Sequence, residues 1–306
     1  MIKLKNDNGK YLYDLKVSKE YSIELSELKE GEKISILSDT MLKAMFQNSN
    51  RLKYSAKFLS YFIDLSYEEI LNSIHLSKNE LDKNKENDKG LRCDYVGVID
   101  DTSLNIEVNN NSSLETLERN MEYAHRLYSR KVKRKGEYKY QQVIQFNLNN
   151  FSFIGNDNIV ETYYSCNEEG LRLDNKIIFI QIYVPNLVKK CYTKGVNELQ
   201  EMERFILTLV DKNVEYCKQV GKGINIMEEY VDEAEEVSYD EDIGESYSLE
   251  WALKDEGKKE GIKEGIKEGS YNKSIEIATS MLEEKIDINT VSKCTKLSIE
   301  EIKKLK

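Results

Sequence analysis

The sequence predicts an α/β fold, a sheet flanked by helices with a helical C-terminal extension. Strand-like segments fall at 91–109, 143–148, 160–165 and 177–184. Between and around them, apolar residues recur at helical spacing, and Ser-x-x-Glu capping boxes open several of those segments. The segment 177–184 is almost continuously apolar, as a strand covered on both faces should be.

Residues 1–37 form a weakly patterned N-terminal segment with a short strand candidate at 21–25. From Ser38 the pattern turns helical, with Met41, Leu42, Met45 and Phe46, then Phe58, Leu59, Phe62 and Ile63, on inward faces. Ser66 and Glu69 form a capping box for a further helix, stapled by Leu65 and Ile70. A polar stretch over 78–89 leads into a hairpin at 91–109. Ser112 and Glu115 then cap an amphipathic helix that turns Leu114, Leu117, Met121, Ala124 and Leu127 inward. Pro185 ends the last strand, and a helix near 197–220 buries Leu199, Met202, Phe205, Ile206 and Leu209. The main domain therefore spans 38–225. An acidic connector or helix follows over 226–255, its stretch 228–245 holding ten acids and no base. A module over 256–306 opens with Glu-Gly pairs every four residues.

With 55 acidic against 45 basic residues and a formal net charge of −10, the whole surface does not suit nonspecific nucleic-acid binding. Five cysteines without a CxxC pair suit a reducing compartment, and two histidines argue against a histidine-rich zinc site. No signal peptide and no membrane span is read, so the expected location is cytoplasmic.

The hairpin carries the chemistry. With the turn at 100–103, paired positions sum to 203, setting 94 opposite 109 and 96 opposite 107. Strand alternation then projects Arg92, Asp94, Asn105, Glu107 and Asn109 from one face. Asp94 and Glu107 become diagonal neighbours, roughly 7–8 Å apart at Cα. Two carboxylates in that space repel unless a cation lies between them, and Mg²⁺ takes one or two protein carboxylates plus water and phosphate oxygens. The other reading of the same pattern is the wet face of an antiparallel hairpin.

The order of motifs adds a resemblance. Ser38 to Phe46, then Arg92-Cys93-Asp94, Asn105-Ile106-Glu107-Val108-Asn109, the run 117–123, Leu127-Tyr128, the strand region 143–151 and the Glu-Gly repeats resemble the Rpn family. These are recombination-promoting nucleases and putative transposases of the PD-(D/E)XK superfamily. The resemblance implies a restriction-endonuclease-like core, a mixed sheet flanked by helices, that cleaves DNA with Mg²⁺ or Mn²⁺. It implies Asp94 and Glu107 as metal ligands and Asn109 as the third catalytic position. There the superfamily has lysine and this family often has glutamine. Asn109 brings no positive charge, so it can orient water or phosphate but not neutralise charge. Asp39 is either a further metal ligand or a first-turn acid of its helix.

The segment 126–135 concentrates Arg126, Arg130, Lys131, Lys133, Arg134 and Lys135 with no acid among them. It is a DNA-backbone contact or a solvated helix end. The Glu-Gly repeat is a helix contact, hence a route to a homo-oligomer, or a spacer. Residues 286–306 suggest two short helices around 295–297, with Lys296 where such turns often place glycine, for packing or for base reading. Two functions stand: a Mg²⁺-dependent DNA endonuclease linked to recombination or transposition, and a catalytically weak or inactive nuclease fold that binds DNA or protein as an oligomeric module.

Overall fold

The computed structural model describes residues 11–81, 91–130 and 141–305. Its strands are β1 (Val17–Ser18), β2 (His75–Leu76), β3 (Glu80–Leu81), β4 (Leu91–Arg92), β5 (Tyr95–Ile99), β6 (Thr102–Asn109), β7 (Gln142–Asn149), β8 (Ser152–Phe153), β9 (Val160–Tyr163) and β10 (Ile177–Tyr183). Six of them form one mixed sheet in the order β2-β5-β6-β7-β10-β9. The central strands β6, β7 and β10 run parallel, and the outer pairings are antiparallel.

Helices α1 (Asp39–Met45), α2 (Leu52–Ser60) and α3 (Tyr67–Ser73) precede the hairpin, and α4 (Leu114–Ser129) connects β6 to β7. Then come α5 (Val184–Lys194), α6 (Glu201–Val210), α7 (Val214–Gly221) and α8 (Asn225–Ser238). Ser66 and Glu69 make the expected reciprocal cap of α3. The cap of α4 lies one residue later than expected, at Ser113, whose hydroxyl accepts from the Thr116 N–H. Pro185 sits in the first turn of α5, where its missing N–H is not needed, so β10 runs straight into a helix. The helix expected near 197–220 is two helices, broken where Asn213 caps α7.

The sheet has two different faces. One carries Tyr95, Ile99, Leu104, Ile106, Phe146, Leu148, Ile180 and Ile182 into the main core, with apolar residues of α1 to α3 and α5 to α8. The other lies under α4, where Val96, Val143, Tyr123, Ala124 and Leu127 form a smaller apolar cluster. The hairpin face read above as wet is therefore covered. β6 is an inner strand, and the crossover to its parallel neighbour lays a helix on that face.

The chain divides into two compact units, 1–250 and 251–306. The first extends well past the boundary expected at 225, because the acidic stretch hides an amphipathic helix. Met227, Tyr230, Val231 and Ala234 of α8 are fully buried. Several of its acids are paired across to neighbouring elements, Glu233 with Arg51 at 2.6 Å, Glu229 with Lys53 at 2.8 Å and Asp232 with Lys218 at 3.0 Å, the last two acids staying exposed. Helix α9 (Glu241–Glu283) follows, and residues to 250 belong to the first unit.

In the second unit, α10 (Ile288–Thr295) and α11 (Ile299–Lys303) enclose a small core of Ala278, Val291, Leu297 and Ile302. Ser298 and Glu301 cap α11 reciprocally. Lys296 ends α10 in the left-handed region, with φ 59°, which is the conformation that favours glycine there. The repeat glycines 257, 261, 265 and 269 are helical, and no atom of the described structure lies near enough to contact an added Cβ. Among the described residues no helix is long and apolar enough to cross a membrane.

Candidate active site

Because β6, β7 and β10 are parallel, their C-terminal ends lie on the same side of the sheet, the usual place for a ligand in an open α/β sheet. On the α4 face, polar residues gather toward that end in register. Asn105 pairs with Gln145, Glu107 with Asn147 and Asn109 with Asn149, and Gln181 lies beside Asn147. All seven are buried, Glu107 being only 1% exposed. Burying a carboxylate and six amides under a helix is costly unless they bind one another or a ligand.

Asp94 and Glu107 meet here, in a register two residues from the expected one. The turn is Asp100-Asp101, with Asp100 at φ 50°, and Tyr95 pairs with Ile106. Paired positions sum to 201, so both carboxylates keep the predicted face. Asp94 now stands level with Glu107 just beyond the end of the ladder, instead of diagonal to it. The Asp94 N–H donates to Glu107 Oε1 at 3.3 Å, and Asn105 Nδ2 donates to the same oxygen at 3.0 Å. The Val108 N–H donates to Asp94 Oδ2 at 2.9 Å. Each carboxylate thus has one oxygen fixed by the framework. The others, Asp94 Oδ1 and Glu107 Oε2, accept from no backbone or amide N–H among the described residues.

The electrostatics are those of acids forced together. Burial, and then the charge of Asp39, push Asp94 up to about 6, against the pull of the Val108 N–H, Arg119 and Lys43. Burial and the neighbouring Asp94 raise Glu107 well above the usual carboxylate range. Asn105 Oδ1, Gln145 Oε1, Asn147 Nδ2 and Asn120 Oδ1 are buried without a partner. Two facing carboxylates, each with an oxygen that no N–H of the described residues holds, next to unpaired amide oxygens, suit a hard cation such as Mg²⁺ and its waters. Among the described residues no three acidic, histidine or cysteine side chains converge on one point, so the fit rests on the pair.

Asp39 lies in the first turn of α1, ion-paired to Lys43 one turn on, and acts on Asp94 through its charge. Two contacts hold the start of α1 in place. Asn110, just after β6, donates to the Leu37 carbonyl at 2.9 Å. Glu250 accepts from Ser38 Oγ, the Asp39 and Thr40 N–H groups and Thr40 Oγ1, at 2.7 to 3.1 Å. Of the basic segment, Arg126 is paired to Glu122 at 2.6 Å, and Arg130 donates to the carbonyls of Lys78 and Glu80. Lys131, Lys133, Arg134 and Lys135 lie outside the described residues.

The family model for PD-(D/E)XK nuclease family transposases matches residues 36–296. The chain belongs to that family. No curated protein and no solved structure matches it. The matched span takes in the sheet, α4 and the acid pair of this PD-(D/E)XK chain. Sequence reasoning did not single out Gln145, Asn147, Asn149, Gln181, Lys43 or Arg119. The strand amides did leave a signal: 145, 147 and 149 alternate, and Gln181 interrupts an otherwise apolar strand in the same register.

Proposed function

We propose that this PD-(D/E)XK chain is a metal-dependent DNA endonuclease that hydrolyses phosphodiester bonds in recombination or transposition, as the resemblance to Rpn proteins implies. The observation that carries the reading is the pairing of half-buried Asp94 with buried Glu107, each with one oxygen held by N–H donors of the framework and the other held by none of them. Asp94 and Glu107 would hold Mg²⁺ or Mn²⁺, with the charge of Asp39 in range. When bound, such an ion lowers the pKa of water and neutralises phosphate charge. The chain's own groups supply the geometry. The Val108 N–H and Asn105 Nδ2 stop the carboxylates from rotating away, and Asn109 would stand beside them at the third catalytic position. Arg126 and Arg130, with the lysines and arginine of 131–135, would contact the DNA backbone.

The test is cleavage of supercoiled plasmid by purified full-length protein in Mg²⁺, Mn²⁺ or EDTA, beside Asp94→Asn and Glu107→Gln. Nicking that needs the metal and disappears in both variants is expected. Nicking retained by both variants would remove the assignment. DNA binding without cleavage in any metal would instead favour the non-catalytic binding module.

A further inference from the structure

Position 109 holds a neutral amide where a lysine would bring charge, and the surroundings of Asn109 show where that charge can come from. Its Nδ2 donates to Asn149 Oδ1 at 3.0 Å, and Asn149 Nδ2 donates to Gln181 Oε1 at 2.8 Å. The outer end of this chain is a cation: Arg119 Nη2, from α4, approaches Asn109 Oδ1 at 3.4 Å. Four side chains are therefore linked donor to acceptor in one direction, Arg119 to Asn109 to Asn149 to Gln181. Such chains polarise cooperatively inside a protein. The amide orientation of Asn109 is set from below by Asn149, which leaves its carbonyl facing the guanidinium. A lysine at 109 would repel Arg119; asparagine seats it.

Among the described residues Arg119 and Lys43 both act on Asp94, and they differ in their freedom. Lys43 is already ion-paired to Asp39. Arg119 has no carboxylate within ion-pair distance among the described residues. Besides the Asn109 carbonyl, it meets the face of Tyr123, at 5.9 Å from the ring centroid. It is an exposed residue that reaches the edge of the covered face of α4, next in sequence to the buried, half-unsatisfied Asn120, and its charge is felt at both Asp94 and Glu107. A guanidinium has five N–H donors in a fork that matches two phosphate oxygens.

We propose that Arg119 is the phosphate-gripping cation of this site, replacing the charge absent at position 109, with Asn109 as its positioning residue. The inference rests on the nuclease reading above. Negative charge grows on the non-bridging oxygens as the phosphodiester is attacked, and a fixed cation there acts more strongly on the transition state than on the bound substrate.

Four full-length proteins test it: wild type, Arg119→Gln, Arg119→Lys and the double variant Asn109→Lys/Arg119→Gln. Arg119 is exposed and mid-helix, and Gln and Lys are both good helix formers, so the fold should be kept, as circular dichroism can check. Single-turnover plasmid cleavage should fall about 100-fold in Arg119→Gln and distinctly less in Arg119→Lys. Moving the charge to position 109 in the double variant should recover at least about tenfold of that loss. Arg119→Gln within about threefold of wild type overturns the proposal. So does Arg119→Lys as slow as Arg119→Gln, or a double variant no faster than Arg119→Gln. A wild type that does not cleave fails the nuclease reading alone. Affinity for a short DNA duplex in Ca²⁺ then decides: a loss of about fivefold or more in Arg119→Gln keeps the phosphate contact, and equal affinity overturns it.

Discussion

Asp94, just before β5, and Glu107, in β6, occupy positions where neutral side chains would be more stable in the absence of a ligand. A carboxylate whose pKa is raised by folding takes up protons as the chain folds. The Asp94 penalty is therefore absent below its ordinary 3.8 and complete above about 6. In EDTA, Asp94→Asn should stabilise the protein at pH 8 and do little at pH 4. Discounted for the solvent at the half-buried Asp94, the gain is on the order of 1 kcal/mol. Thermal melts at the two pH values check this, and an equal effect at both would contradict it. Mg²⁺ should raise the melting temperature of wild type at pH 8 and not that of Asp94→Asn, a readout independent of cleavage. The acid pair and its shared face were legible at this scale because side-chain alternation survives a register shift of two. Arg119 was not, since nothing in a helix sequence says which strand residue a side chain will meet.

Among the elements, α1 shows how distant residues place a site. It is a short helix whose first turn carries Asp39, and the carboxylate of Glu250, more than two hundred residues on, accepts from four donors around its N-terminus. A carboxylate there satisfies N–H groups that lack intrahelical partners and complements the positive end of the helix. Glu250→Ala should cost about 1–2 kcal/mol, as the loss of a strong cap does, and should slow cleavage by letting Asp39 move. A melting temperature equal to wild type would show that the contact contributes nothing. The capping boxes of α3 and α11 were legible because they are encoded within four residues. The role of Glu250 has no local signature and reads, in sequence, as one more acid.

For the whole molecule, the question is where the nuclease unit ends. A chain cut after 225 lacks α8, and with it the fully buried Met227, Tyr230, Val231 and Ala234. The large side chains of such a set stabilise by roughly 1.5–3 kcal/mol each. Their combined loss is comparable to the entire stability of a typical domain, about 5–15 kcal/mol. That chain should be insoluble or lack a cooperative melt. A chain cut after 255 keeps α8 and Glu250, and should melt cooperatively with the far-ultraviolet signature of an α/β fold. Two equally folded truncations would show that α8 is dispensable.

The sequence by itself determined most element types, though not the strand expected at 21–25, which does not form, together with the α/β class, the face shared by Asp94, Glu107 and Asn109, and, through motif order, the family. Those features are local periodicities or short-range caps, and they persist whatever the rest of the chain does. Only the tertiary structure decided that the hairpin face is buried, because burial depends on α4 returning over β6 on its way to β7. Tertiary packing also decided that the acidic stretch joins the core, since its apolar residues at helical spacing are outnumbered by acids that find partners on α2 and α7. The link from Arg119 through Asn109 and Asn149 to Gln181 is tertiary as well. Its members come from α4, β6, β7 and β10, and parallel pairing alone brings their polar ends level.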